Sequence, residues 1–120
     1  MRDIQEVLSR WGVWARDNSG VDFSPIAAGF KGLLPPTSPS KPSCCDDDGL
    51  IIDSCVARLK QRRPDEYALI VQYYVYNQSK RSIGKHQKKN EKVIRVSIQL
   101  AEGFIEGCLS SLGVELQFAH

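Results

Sequence analysis

Apolar or small residues recur at alternating steps of four and three near the end of the chain, and this spacing constrains the fold more than any other feature. The residues are Ile94, Ile98, Ala101, Ile105, Cys108 and Leu112. The pattern predicts one helix from Glu91 to Leu112 with a single apolar seam, ended by Gly113. At about 1.5 Å per residue this helix would be about 33 Å long. Part of it must therefore pack on other elements.

Three further segments predict helices. Residues 3–16 carry apolar side chains at steps of three or four, namely Ile4, Val7, Leu8, Trp11 and Ala15. Residues 24–30 begin with Ser-Pro, which suits a helix start, although glycines weaken this short helix. Residues 46–63 begin with three aspartates and end with bases, as the helix dipole favours. Two glycines of the C-terminal helix, Gly103 and Gly107, could let another backbone approach closely.

The segment from Asp65 to Tyr76 is ambiguous, because it is rich in strand-favouring residues. We predict a helix, since Tyr67, Ile70 and Tyr74 share a helical face and a lone strand would have no partner elsewhere in the chain. The expected fold class is therefore all-α.

A chain of 120 residues allows one compact domain. Four prolines within eight positions, from Pro35 to Pro42, predict an extended loop. The expected organisation is a single domain over residues 1–120. Its parts are N-terminal helices (1–34), a Pro-rich loop (35–45), central helices (46–76), a helix-turn-helix with a long recognition helix (77–112) and a tail (113–120).

Composition excludes several classes of protein. With 42% hydrophobic and 25% charged residues, the chain is typical of a globular protein. It has no run of 18 apolar residues, and its charged start does not resemble a signal peptide, so we expect a cytoplasmic protein that does not bind membranes. It also lacks a Gly-rich phosphate loop, an H-E-x-x-H motif and a nucleophile elbow. We therefore expect no enzymatic activity.

The cysteines do not have the spacing of a zinc site. Cys44, Cys45 and Cys55 could supply ligands together with His86 or His120. Structural zinc sites, however, favour ligand pairs separated by two to four residues. We therefore expect no metal or other cofactor. The alternative is that all the cysteines are reduced thiols, with Cys55 and Cys108 as small apolar core residues.

Positive charge is concentrated in one short stretch. Residues 79–95, here called the basic segment, contain seven Lys or Arg and one acid, a net charge of +6, whereas the rest of the chain sums to −4. A local excess of this size predicts a polyanionic partner. The alternative is that the segment is a solvated basic face without a special role.

The basic segment also has the pattern of a helix-turn-helix. Ile83 supplies an apolar contact on the first helix, and Gly84 is a small residue where the two helices cross. Asn90 can cap the second helix, which Ile94 and Ile98 bury against the first. We therefore expect a sigma-region-4-like helix-turn-helix followed by the long C-terminal helix.

This arrangement would place the start of the second helix in the major groove of double-stranded DNA. The residues predicted to reach base edges are Lys92, Arg95, Glu91 and Val96, and the capping residue Asn90 is also predicted to lie in the DNA-binding site. Those predicted to meet phosphates are Lys80, Arg81, Lys85, Lys88 and Lys89. His86 is expected at the surface of the first helix, with an extra phosphate contact as the alternative.

Two other groups of residues have alternative interpretations. Asp46, Asp47 and Asp48 could bind a divalent metal or a basic protein surface, but we expect them to cap the helix that they begin. Trp11 and Trp14 could stack on bases, but we expect both in the core, because Trp11 lies on the apolar stripe of the first helix.

Several blocks of sequence carry a resemblance to a known family. They are MRDIQ at residues 1–5 with Trp11 and Trp14, SPIAAGFKGL at 24–33, CCDDDG at 44–49 and AEGFIEG at 101–107. Together they resemble the late-gene antitermination protein Q of lambdoid phages and prophages, in the branch without a zinc finger. The resemblance spans nearly the whole chain.

This resemblance implies a transcription antitermination factor. Such a factor binds a DNA element at a phage late promoter, loads onto promoter-proximally paused bacterial RNA polymerase with its sigma factor, and allows read-through of pauses and terminators while the nascent RNA threads through the complex. The alternative is a conventional helix-turn-helix repressor or activator, and a third class is a scaffold protein with a merely basic face.

The sequence departs from the usual helix-turn-helix pattern at Gly84, where such proteins commonly carry Ala. Gly weakens a helix by about 1 kcal/mol relative to Ala.

Overall fold

The computed structural model describes residues 3–17, 42–113 and 116–117, and every regular element within them is a helix. The elements are α1 (Ile4–Asp17), α2 (Asp46–Arg62), α3 (Pro64–Ile70), a π-helical turn (Val71–Val75), α4 (Lys80–Gln87) and α5 (Glu91–Leu112). The prediction of an all-α fold is confirmed. The helix expected at residues 24–30 and most of the Pro-rich loop lie outside the described residues. In the described ranges, none of the helices has the length and apolarity needed to cross a membrane.

Helix α1 forms one wall of the core, as its apolar stripe predicts. The carboxylate of Asp3 accepts the backbone amide of Gln5 at 3.0 Å and so caps the helix. Leu8 and Trp11 are fully buried and Trp14 nearly so, which confirms that both tryptophans are core residues. Their indole nitrogens remain satisfied.

The acidic triplet does not cap α2, so that prediction is wrong. The N-cap is Cys45, which makes no side-chain capping bond, and the aspartates occupy the first turn. Asp46 instead accepts the indole N–H of Trp14 at 2.9 Å. The buried carboxylate of Asp48 accepts the backbone amide of Gln117 at 2.9 and 3.1 Å. All three acids keep their favourable place at the positive end of the helix dipole, while Asp46 and Asp48 also bond to distant parts of the chain.

The segment after Pro64 is helical, as predicted, despite its strand-favouring residues. Tyr67, Ile70 and Tyr74 are all buried, so tertiary packing of one helical face outweighs local propensity. The segment ends in the π-helical turn, and the guanidinium of Arg16 donates to the carbonyl oxygen of Val75 at 2.8 Å. That bond satisfies a backbone acceptor at the end of the turn.

Helix α5 packs on all the other helices of the described chain. Ile94, Ile98, Ala101 and Ile105 are buried as predicted, but the seam then continues through Leu109. Cys108 is only partly buried, and Leu112 is 42% exposed. A straight helix has 3.6 residues per turn and drifts away from a strict seven-residue repeat, which explains the shift.

The glycines of α5 behave differently from one another. Gly113 ends the helix with a left-handed φ of 65°, as predicted. Gly103 and Gly107 are exposed, and no atom of the described chain lies within 4 Å of a Cβ built on either of them. Within the described residues no other backbone approaches either glycine, because both lie on the face of α5 away from the core.

The cysteines are free thiols. Cys55 is fully buried in the core, as expected, and Cys108 packs against the core from a partly buried position. Cys44 is half-buried beside Asp48, and burial together with that carboxylate raises the pKa of its thiol to about 11. In the part of the chain that is described, no three His, Cys, Asp or Glu side chains lie close enough to share a metal ion.

Candidate nucleic-acid interface

Two helices joined by a three-residue turn carry most of the basic segment. The hydroxyl of Ser79 accepts the amide of Ser82 at 3.0 Å and starts α4. The backbone leaves α4 through Lys88, which has a left-handed φ of 58°. The side chain of Asn90 then accepts the amide of Lys92 at 2.8 Å and starts α5, as predicted. The chain therefore changes direction at residues 88–90.

The contact between α4 and α5 depends on Gly84. Ile83 and Ile94 are buried where the two helices meet. The Cα of Gly84 faces the turn so closely that an added Cβ would lie 2.8 Å from the carbonyl oxygen of Lys89. The sequence predicted a small residue here, where the two helices cross, at the cost of some helix propensity. The structure shows that the close approach of the turn leaves little room for a side chain.

The predicted DNA-contacting cations lie on α4, in the turn and on the first turns of α5, and most of them are exposed. The side chains of Arg81, Lys85, Lys88, Lys89, Lys92 and Arg95 are all exposed. His86 is exposed on α4, as expected. The one acid of the region, Glu91, lies 4.0 Å from Arg95, and both side chains are about half exposed. Such an ion pair is weak and screened by salt, so the guanidinium can exchange Glu91 for a phosphate or a base edge.

Lys80 is placed differently from the other predicted phosphate contacts. Its side chain is partly buried, and its ammonium lies 5.2 Å from the centre of the Tyr73 ring. A cation over an aromatic face is stabilised by the ring quadrupole. Lys80 also lines a polar groove next to the basic segment. Its phosphate contact stays a prediction.

That groove is a feature that the sequence did not indicate. It encloses about 660 Å³, and its charged lining residues are Asp3, Glu6, Lys80, Glu91 and Glu102. At its base the hydroxyl of Tyr74 donates a hydrogen bond to the buried carboxylate of Glu102. Burial and this carboxylate raise the pKa of Tyr74, so the hydroxyl keeps its proton. The excess of acids makes the groove unfavourable for phosphates and marks one border of the basic surface.

An apolar feature lies within the basic region. Val93 and Val96 are 51% and 47% exposed, and they line a shallow open groove with Asn90, Lys92 and Ser97. Val96 is among the predicted base contacts, whereas Val93 was not predicted to contact DNA. Val93 lies three residues before Val96, and residues three apart are neighbours on a helix surface, so the spacing could have indicated that both contact DNA.

Comparison with known proteins supplies the family. The sequence profile described as Phage antitermination protein Q matches residues 1–117. The chain is 58% identical to the probable antitermination protein Q of Acyrthosiphon pisum secondary endosymbiont phage 1, over 96% of this chain and 79% of that protein. It is 45% identical to antitermination protein Q of Escherichia phage 933W, over 98% of this chain and 82% of that protein.

Solved structures agree with the observed fold. A selenomethionine derivative of transcription antitermination factor Q21 superposes with a TM-score of 0.72 at 18% identity, covering 90% of this chain and 85% of that one. The same factor in complex with Q21-binding-element DNA gives a TM-score of 0.71 at 19% identity, covering 90% and 87%. The profile match over nearly the whole chain and the close relatives place this protein in the phage antitermination protein Q family.

Proposed function

We propose that this protein is a transcription antitermination factor that binds double-stranded DNA through the basic segment. The observation that carries the proposal is the exposed cationic surface formed where α4 turns into α5. Six of its cations are exposed, and the single acid is held only in a weak surface pair. Membership of the antitermination protein Q family supports the proposal, as does the related fold of a factor solved in complex with its DNA element.

The start of α5 would lie in the major groove, which is about 12 Å wide and admits one helix. Lys92, Arg95, Glu91 and Val96 project from the first two turns and would reach base edges. Arg81, Lys85, Lys88 and Lys89, with Lys80 at the border, would contact phosphates and fix the register. Ile94 and Ile98 hold the opposite face of these turns in the core, so only the exposed face is available to DNA.

We further propose that the DNA-bound protein loads onto RNA polymerase paused near the promoter with its sigma factor. The moving complex would then pass pauses and terminators with the nascent RNA threaded through it. The family name supports antitermination, and the N-terminal half is the better candidate for the polymerase-facing surface. Within the acidic triplet Asp46 and Asp48 make internal hydrogen bonds. The exposed Asp47 and the 61% exposed Leu50 are therefore the residues of this turn that we assign to that surface.

Transcription on a template that carries the protein's own late promoter and a downstream intrinsic terminator tests the proposal. Added protein should increase the fraction of full-length RNA, and deleting the DNA element should abolish this effect. A conventional repressor or activator would bind the element and change initiation without any read-through. A scaffold with a merely basic face would bind DNA without sequence preference at every salt concentration. Either result would reject antitermination by this protein.

A further inference from the structure

An exposed apolar pair lies inside the most positive region of the molecule. Val93 and Val96 are one helical turn apart on α5, and about half of each side chain is open to solvent. Single exposed apolar residues are common on protein surfaces. This pair is unusual because it forms a shared shallow groove and has the cations Lys92 and Arg95 as close neighbours in sequence. A binding partner must therefore offer negative charge and a small apolar group at the same place.

Double-stranded DNA has both properties in its major groove. Phosphates border the groove, and the C5-methyl group of thymine is the apolar group that base pairs present there. An apolar protein surface would leave the surrounding cations desolvated or unpaired, which is unfavourable. Charge complementarity therefore favours DNA as the occupant of the groove beside Val93 and Val96.

We infer that Val93 and Val96 contact thymine methyl groups, so that the protein selects DNA elements with thymine opposite the first two turns of α5. This inference rests on the proposed DNA-binding function and adds the chemical class of base that is read. The two Cα atoms are about 4.5 Å apart along the helix axis, from three residues at about 1.5 Å each. That separation is close to one step of stacked base pairs, about 3.4 Å. The pair can therefore contact methyl groups on the same or adjacent base pairs.

Leu100 provides a matched control on the same helix. It is 60% exposed, which is comparable with the valines. It lies about 10 Å along the axis from Val93, at about 1.5 Å per residue. Leu100 does not line the shallow groove of Val93 and Val96. The N-terminal residues of a recognition helix make the base contacts, so we expect Leu100 to make none.

The experiment removes single methyl groups from the DNA. The full-length protein first selects its preferred sequence from random duplexes, and each thymine of that sequence is then replaced by deoxyuridine. At one or two positions the affinity should fall about fourfold, as expected for one buried methyl-sized group worth about 0.8 kcal/mol. For Val93→Ala or Val96→Ala the same replacement should have little effect, whereas Leu100→Ala should keep the full loss.

The outcomes separate this inference from the proposed function. If the protein shows no sequence preference in DNA, both the proposed function and this inference are wrong. If it selects a sequence but tolerates deoxyuridine at every thymine, only the inference fails. It also fails if replacing thymine by deoxyuridine at the sensitive positions lowers the affinity of the valine variants as much as that of the wild type. Because the change is made in the DNA, a folding defect cannot imitate the expected result.

Discussion

The amide of Lys89 donates a hydrogen bond to the carbonyl oxygen of Gly84 at 2.8 Å, and the carbonyl oxygen of Lys89 lies so close that a Cβ on Gly84 would be 2.8 Å away. The backbone at Gly84 is therefore in close contact with the backbone at Lys89, at the end of α4. This contact sets how the chain turns from α4 into α5, and thus where the cations on either side of the turn lie relative to one another.

The first prediction concerns Gly84→Ala. In an exposed helix interior this change would stabilise the protein by about 1 kcal/mol through helix propensity. Here we expect a net loss of about 1–3 kcal/mol, because the Cβ meets backbone atoms that can move only if the turn moves. Urea unfolding followed by circular dichroism measures the change, and DNA affinity should fall with it.

Gly103→Ala is the matched control, since no atom of the described chain would lie within 4 Å of its Cβ. That variant should be more stable than the wild type by about 1 kcal/mol. Equal stabilisation by both substitutions would contradict the tight turn at Gly84.

The second prediction concerns the hydrogen bond between Tyr74 and Glu102. Tyr74→Phe leaves a buried carboxylate without this donor, and we expect a loss of about 1–3 kcal/mol in the free energy of unfolding. Glu102→Gln keeps an acceptor for the hydroxyl and should cost less. Chemical denaturation of the two variants checks this order, and a Tyr74→Phe protein as stable as the wild type would show that the bond does not stabilise the fold.

The third prediction uses the adjacent thiols of Cys44 and Cys45. Since the pKa of Cys44 is raised to about 11, about one molecule in a thousand carries its thiolate at pH 8. Cys45 is exposed and serves as the internal control. Iodoacetamide should alkylate Cys45 of the folded protein first, as located by tandem mass spectrometry. The rate at which Cys44 is labelled should rise about tenfold for each unit by which the pH is raised, because the thiolate fraction rises by that factor. Equal labelling at pH 8 would contradict the burial of Cys44.

The fourth prediction concerns Asp53. Burial raises its pKa, and the indole N–H of Trp11, 3.4 Å from the carboxylate, opposes the rise only in part. The folded protein therefore holds this proton more tightly than the unfolded chain. The charged carboxylate weakens the fold at neutral pH, and the penalty disappears as pH falls through the folded-state pKa toward the unfolded value.

Asp53→Asn removes the charge and keeps an oxygen for Trp11. We expect a small gain at pH 7, below about 1 kcal/mol because the group is half exposed. The difference in urea midpoint between variant and wild type should shrink as pH is lowered. A difference that grows on acidification would mean that the carboxylate stabilises the fold in its charged form.

Local patterns predict much of the fold, because they depend on neighbours three or four residues apart. The stripe through Leu8 and Trp11 predicts α1, and the acids and bases at the ends of α2 predict its bounds. The same logic places Asn90 and Gly113 at the ends of α5. These features need no knowledge of the tertiary structure.

The features that could not be predicted depend on distances between remote residues. Tyr74 and Glu102 are 28 positions apart, and Asp48 and Gln117 are 69 apart. No sequence pattern links such pairs, so the triplet around Asp48 resembled a simple cap. At the site, charge predicts which side chains are exposed, but the stacking of Lys80 on the Tyr73 ring depends on how α4 packs.

The central claim is that the basic segment binds DNA with the first turns of α5 in the major groove. The most direct test is the affinity for the preferred element and for unrelated duplex over a range of salt concentrations. Arg95→Ala should reduce the preference for the element by about 1–3 kcal/mol. Lys88→Ala should weaken both duplexes equally and lower the salt slope by about one. Arg62→Ala, an exposed cation at the end of α2, should change neither. If Arg95→Ala and Lys88→Ala have the same effect on both duplexes, or no more effect than Arg62→Ala, the account is contradicted.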